Sequence, residues 1–336
     1  MERYSKQILF NDLGEKGQRN LLNSKVLVVG CGALGTVIAN NLVRAGVGYV
    51  KIVDRDYVEL SNLQRQMLFD ESDIQNNIPK AIAAQEKLKK INSEIIIDCE
   101  VVDMNPTNAI RLCKDMDLIL DGTDNFSTRF LINDVSIKLN IPWIYGGAIG
   151  STGMVLPIIP GKTPCFRCLQ PEVPETGGMA TCDTIGVLNS TTSIVASLQS
   201  IEAIKILSKN EERLNNKLQV FDLWTGEFNF VEIQKNTYCT ACAKHQWDFL
   251  NRGYEDVVYL CHNNSVQINP ANRGVNFEDL IRKLERIDIE IKKSPYFLRF
   301  FIEDVQISVF GDGRAIMKNV SDTNQAKSLY AKYIGS

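Results

Sequence analysis

Val26-Leu27-Val28-Val29-Gly30-Cys31-Gly32-Ala33-Leu34-Gly35 decides the fold of this chain. An apolar run enters a G-x-G-x-x-G turn, and the helical pattern Leu34–Ala45 follows. A second apolar run, Val50–Val53, leads to Asp54, 19 residues past Gly35. Strand, turn, helix and acid at this spacing make a nucleotide-holding unit. Gly30 and Gly32 leave bare backbone for a phosphate, Gly35 lets the helix pack on the strand, and Asp54 can accept from ribose hydroxyls. The turn by itself serves NAD as well as ATP.

Outward from this unit the pattern repeats. Ile95–Val101, Leu118–Leu120 and Trp143–Tyr145 read as further strands, and Pro79–Ile91, Pro106–Lys114 and Asn125–Asn140 as the helices between them. Continuously apolar strands separated by helices predict a parallel sheet covered on both faces. Residues 1–23 read as one or two polar helices. After Ser151, five prolines between Pro157 and Pro174 predict loops and short strands, then a long helix around Ile194–Leu207. Leu218–Leu223 and Glu227–Ile233 flank a turn and read as a hairpin. The expected class is α/β: a Rossmann-like, doubly wound mixed sheet with a crossover and hairpin region. A nucleotide-binding domain over 1–250 and a small α+β module over 254–336 are expected, joined by a linker at Trp247–Tyr254.

Composition narrows the function. The chain is 44% hydrophobic and 23% charged over 336 residues, which suits a globular protein. A net charge of −3 gives no general pull toward nucleic acid or anionic membrane. No apolar run approaches a membrane span, and the first residues lack the apolar core of a signal peptide. The cytoplasm is therefore the expected compartment.

Asp56, Asn62, Arg65, Lys80 and Asp124 form a polar strip that a dehydrogenase does not need. Asp124 follows the fourth strand, so its end of the sheet should converge with Gly30 and Asp54. A carboxylate facing a triphosphate is a natural Mg²⁺ ligand, because carboxylate and phosphate oxygens share that ion. Arg65 and Lys80 supply positive charge for a phosphoryl group under attack. Lys80 alone could equally be one more solvated lysine, since Lys87, Lys89 and Lys90 follow it.

With these residues the sequence resembles the ThiF/MoeB family of adenylyltransferases, relatives of the ubiquitin-activating enzymes. The matching pieces are Arg3-Tyr4-Ser5-Lys6-Gln7, Gly30–Gly35, Asp54-x-Asp56, Ser61-Asn62-Leu63-Gln64-Arg65-Gln66, Pro79-Lys80-Ala81, Asp121-x-x-Asp124-Asn125 and two C-x-x-C pairs. They cover roughly residues 1–250. The resemblance implies binding of ATP with Mg²⁺ and of a small ubiquitin-like sulfur carrier ending in Gly-Gly, whose carboxylate is joined to AMP with release of pyrophosphate. It places Asp54 on the ribose, Arg65 and Lys80 on the phosphates, Asn62 beside them and Asp124 on Mg²⁺. It also implies a homodimer in which Arg65 and Lys6 act across the interface. Family members often carry an arginine where this chain has Lys6, so the charge is kept and the fork geometry is not.

Nine cysteines in a chain expected in the cytoplasm suggest metal or thiol chemistry. Cys165-x-x-Cys168 and Cys239-x-x-Cys242 suit a closed Zn²⁺ site that ties the crossover to the hairpin; paired redox thiols are the alternative. Cys182 lies in a glycine-bearing loop, where the resemblance puts the cysteine of sulfur transfer or covalent carrier linkage; an idle loop cysteine is the alternative. Cys31, Cys99, Cys113 and Cys261 read as small packing groups, and Cys261 lacks the loop of a sulfurtransferase. His245 and His262 lie outside the motifs. The chemistry needs no general base, because a carboxylate nucleophile is already ionised.

The expectation is an adenylyltransferase for a ThiS-type carrier of thiamine biosynthesis, working with a sulfurtransferase or cysteine desulfurase. A MoaD-type carrier of molybdopterin synthesis is the runner-up. An NAD-dependent oxidoreductase and a non-catalytic zinc scaffold are more distant alternatives.

Overall fold

The alternating apolar runs pair as one sheet. The structure, a computed structural model, describes residues 1–174, 185–253, 257–260, 265–270, 274–320 and 322–335. Two short helices, α1 (Ser5–Ile8) and α2 (Gly14–Leu22), precede β1 (Lys25–Val29), α3 (Ala33–Ala45) and β2 (Tyr49–Val53). Then come α4 (Glu71–Gln75), α5 (Lys80–Ile91), β3 (Ile96–Glu100), α6 (Ala109–Cys113), β4 (Leu118–Asp121), α7 (Phe126–Leu139) and β5 (Trp143–Ile149). After β6 (Thr152–Ile158) and α8 (Phe166–Leu169) follow α9 (Asn189–Leu207), β7 (Leu218–Asp222) and β8 (Glu227–Val231).

These eight strands form a single sheet in the order β3-β2-β1-β4-β5-β6-β7-β8. The first five are parallel, and β6, β7 and β8 add antiparallel to one edge. Val26 and Val28 of β1 enter one core cluster, with α3, α5 and α9. Leu27 and Val29 enter the other, with α6, α7 and the cysteine-bearing segments. Both faces are covered, so the strand is apolar at every position rather than at alternate ones. The strand order reverses between β1 and β4, and such a reversal opens a crevice at the carboxyl ends of the strands.

Two sequence expectations need correction. The prolines after Ser151 do not break the chain at once: β6 runs through Pro157, which pairs with Ile144. The stretch expected as a linker from Trp247 is in its first half part of the core. Phe249 and Leu250 are buried, and the Phe249 ring stacks on Phe130 with centroids 4.6 Å apart.

The chain divides into two compact units, Met1–Arg252 and Gly253–Ser336. Taken by itself, the second is an antiparallel sheet of six strands: β9 (Val257–Leu260), β10 (Ser265–Ile268), β11 (Ile291–Lys293), β12 (Phe297–Ile302), β13 (Val305–Phe310) and β14 (Ala315–Lys318). Its helices α10 (Phe277–Glu285) and α11 (Thr323–Leu329) pack with Val266, Leu298, Phe300 and Ile307 in a core of its own. Among the described residues, no helix is long and apolar enough to cross a membrane.

Candidate active site

The glycine turn is built by close backbone approach. A Cβ on Gly35 would sit 1.9 Å from the carbonyl oxygen of Gly30, and one on Gly30, at φ +87°, would sit 2.6 Å from that of Gly122. Any side chain at either position would push β1, α3 and the end of β4 apart. Gly32 is different. A Cβ there would meet nothing nearer than the Nε2 atom of Gln66, at 3.8 Å. Packing requires Gly30 and Gly35, whereas Gly32 faces open space in front of α3.

Asp54 directly follows β2 and anchors the turn. One of its carboxylate oxygens accepts from the backbone N–H of Cys31 at 2.6 Å, the other from that of Asp56 at 2.7 Å. Burial pushes the Asp54 pKa up, against the pull of the nearby Lys80 ammonium. The Lys80 backbone N–H donates to the carbonyl of Asp56 at 2.9 Å, which ties the start of α5 to this loop. Its ammonium then lies 3.5 Å from the Asp56 carboxylate. Lys80 is 8% exposed, unlike the solvated Lys89 and Lys90 on the same helix, so the surface-lysine alternative falls. Burial opposes the charge on Lys80, but Asp56, Asp54 and Asp124 outweigh it and the pKa is raised. The ammonium therefore stays charged.

Asp124 lies three residues past β4, exposed, within electrostatic reach of Lys80, Arg55 and Arg129. The convergence of Gly30, Asp54 and Asp124 follows from the strand order, and the backbone bond to Asp56 brings Lys80 to them. The Asn62 side-chain oxygen accepts from the backbone N–H of Glu59 at 3.2 Å and closes a 3₁₀ turn at Leu60–Asn62. The half-buried Arg65 donates to the carbonyl of Ser61 at 3.0 Å and, among the described residues, forms no ion pair.

Lys6 is not brought to this crevice. It is exposed on α1, whose neighbour Gln7 donates to the Ala45 carbonyl at 2.9 Å. That carbonyl is at the far end of α3, and a 13-residue helix is about 20 Å long. Cys182 lies outside the described residues, as does Cys261.

Sequence reasoning missed a buried pair behind the crevice. Arg129 of α7 donates to Asp121 at 3.0 Å and to the carbonyls of Thr123 and Gly146 at 2.9 and 3.0 Å. The other oxygen of Asp121 accepts from the Thr123 backbone and hydroxyl. This pair fixes the loop that carries Asp124. Its sequence signal was available: Arg129 precedes the apolar run Phe130-Leu131-Ile132, where a lone charge needs a buried partner. Arg55 was missed as well; it donates to Asp103 at 3.0 Å.

The four cysteines of the two C-x-x-C pairs meet, with all sulfurs within 4.8 Å of one another. Cys165 is 3.6 Å from Cys239 and 3.9 Å from Cys168, and Cys168 is 3.6 Å from Cys242. Tetrahedral Zn²⁺ with bonds of about 2.3 Å would set its sulfurs roughly 3.8 Å apart. The thiols fit that ion. A C-x-x-C redox pair would instead join two sulfurs at about 2 Å and leave the others aside.

The ThiF family model matches residues 4–241. The chain belongs to the ThiF family. It is 40% identical to the sulfur carrier protein ThiS adenylyltransferase of Bacillus subtilis, over 99% of both chains. It is 36% identical to an adenylyltransferase and sulfurtransferase MOCS3 of Culex quinquefasciatus, over 72% of this chain and 55% of that one. Among solved structures, Escherichia coli MccB with ATP superposes with a TM-score of 0.63 at 24% identity, over 71% of this chain and 74% of that one. That likeness supports the mixed α/β architecture of the ThiF fold.

Proposed function

We propose that this chain, an adenylyltransferase of the ThiF family, activates the C-terminal glycine of a ubiquitin-like sulfur carrier of the ThiS type. The observation that carries the proposal is the crevice at the β1/β4 reversal, where a charged, buried Lys80 stands among Asp54, Asp56 and Asp124 beside an open Gly32. In the proposed reaction a carboxylate oxygen of the carrier attacks the α-phosphorus of ATP. The bond to the bridging oxygen breaks, pyrophosphate leaves with its electron pair, and an acyl-adenylate remains. Asp54 holds the ribose, Lys80 and Arg65 neutralise phosphate charge, and Asn62 shapes the loop that presents Arg65. Mg²⁺ at Asp124 would offset further phosphate charge. Zn²⁺ at Cys165, Cys168, Cys239 and Cys242 would hold the crossover to the segment after β8.

A protein substrate also suits the surface. The edge strand β8 presents Phe228 and Phe230, 57% and 61% exposed, beside the exposed Trp224. Exposed apolar clusters of this kind mark protein contacts. As the resemblance to the family implies, Lys6 and Arg65 are proposed to act across the interface of a homodimer, and the position of Lys6, a helix length from its own crevice, suits a role at the nucleotide of a second copy. Cys182 is proposed to carry the later sulfur or linkage step, with a sulfurtransferase or cysteine desulfurase as donor. The ThiS type is favoured over the MoaD type because the Bacillus ThiS adenylyltransferase is matched over 99% of both chains, whereas the MOCS3 relatives of Culex quinquefasciatus and Arabidopsis thaliana are matched over 72% and 88% of this chain and only 55% and 65% of their own.

The test is exchange of labelled pyrophosphate into ATP with Mg²⁺, with either carrier. Exchange with the ThiS-type carrier and an acyl-adenylate in its mass spectrum are expected. Exchange with the MoaD-type carrier alone would reassign the substrate, and none with either would overturn the proposal.

A further inference from the structure

The stretch Ser61–Gln66 ends in a residue to which nothing above gives a task. The Gln66 backbone is fully used: its N–H donates to Asn62 at 2.9 Å and its carbonyl accepts from Phe69 at 3.1 Å. Its side chain is not. Gln66 is 4% exposed, yet its Oε1 atom is buried with no hydrogen-bond partner. Leaving such an acceptor unsatisfied is unfavourable, so a Leu or Met would serve the core better. The other end of the amide explains the choice. The Nε2 atom is the nearest group to the open face of Gly32, 3.8 Å from where a Cβ would stand.

Gly32 is also the N-cap of α3, and no side chain caps that helix. The first N–H groups of a 13-residue helix therefore lack a side-chain acceptor at the spot the amide overlooks. A helix N-terminus, an open glycine and a donor held in a buried wall all suit an anion. We propose that Gln66 contacts the nucleotide, its amide N–H donating to a phosphate oxygen seated on the N-terminus of α3. The inference rests on the assignment of this crevice to ATP. Phosphate oxygens only accept at neutral pH, so nitrogen must face the ligand, which leaves the carbonyl inward and unpaired as observed.

Equilibrium binding of ATP and of adenosine separates this role from packing. Gln66→Leu removes the donor, and Gln66→Glu keeps the shape but turns an acceptor and a negative charge toward the phosphate. ATP affinity is expected to fall about 10-fold in the Leu variant and further in the Glu variant. Adenosine, which has no phosphate, should bind both within about twofold of wild type by the same reasoning. Variants that bind ATP as the wild type does overturn the role of Gln66 alone. Parallel loss of ATP and adenosine overturns it too, in favour of packing. A wild-type protein that binds neither ligand overturns the assignment of the crevice together with it. The Glu variant, being isosteric, decides the matter if the Leu variant does not fold.

Discussion

The crevice and the cysteine cluster are both assembled from distant parts of the first unit, and they are built on opposite terms. The crevice buries charge of both signs, Asp54 and Asp121 against Lys80 and Arg129, and it tolerates an unsatisfied amide at Gln66. Burying such groups is unfavourable without ideal partners; in the proposed reaction Asp54 and Lys80 are kept for the nucleotide, while Arg129 and Asp121 hold the loop that carries Asp124. The cysteine cluster has four sulfurs facing one another, and the following Phe166 packs between Phe130, Trp143 and Tyr145. On the proposed function, the first region gives up stability to be ready for a substrate. The other closes on itself and adds stability.

This contrast can be broken by exchanging the effects. Cys239→Ser should lose the metal and lower stability by several kcal/mol, because binding of a structural ion is folding free energy. Elemental analysis and thermal unfolding measure both. Below the lowered melting temperature, ATP–pyrophosphate exchange per folded molecule should persist. Asp124→Asn should do the reverse. The residue is exposed, so the melting temperature should hold within a few degrees. Exchange should fall about 10²-fold or more, the usual scale for losing a group that stabilises phosphoryl charge. If the Asp124 variant is instead unstable and active, the two regions have been assigned the wrong way round.

Most of the crevice was legible because its chemistry demands particular residue types next to particular strand ends. Gly30–Gly35 and Asp54 carry their strand–turn–helix context with them, and the alternation of apolar runs fixes where Asp124 must arrive. Lys80 was ambiguous, since a helix with four lysines looks the same whether the first is buried or not. What buries it is the pairing of its backbone with Asp56, 24 residues away. Arg129 and Asp121 were overlooked because neither has a role until β4, β5 and α7 meet. The strand through Pro157 was hidden for a local reason: proline lacks a ladder donor, yet β6 keeps it opposite Ile144. Phe249 and Leu250 looked like linker because nothing in their own neighbourhood shows that Phe130 and Asp134 wait for them.

Asp134 gives the finest test, because α7 serves both regions. At one end its cap Asn125 follows Asp124, and Arg129 grips Asp121. Further along, Asn133 accepts from the N–H of Phe166 beside Cys165, and Asp134 accepts from those of Phe249 and Leu250 at 2.8 and 3.3 Å. The second oxygen of Asp134 is buried without a partner. Burial pushes its pKa up to about 6, although the two N–H bonds and Arg167 pull the other way while Asp248 adds to the rise. The unfolded value is near 4. Between roughly pH 4 and 6 the folded chain therefore holds a proton that the unfolded chain has lost. Stability from this group is greatest below that window and falls as pH rises through it. Once ionised, the buried carboxylate costs on the order of 1–3 kcal/mol. Asp134→Asn keeps an oxygen for the two N–H groups and removes the titration. The variant should be at least as stable as wild type at pH 7.5, and the difference should close by about pH 4. A variant less stable at pH 7.5, with a gap that widens as pH rises, would show that the ionised carboxylate grips Phe249 and Leu250 more strongly than burial penalises it. The charge would then count among the ties of the cysteine region, and a stabilising buried charge would no longer set the crevice apart from it.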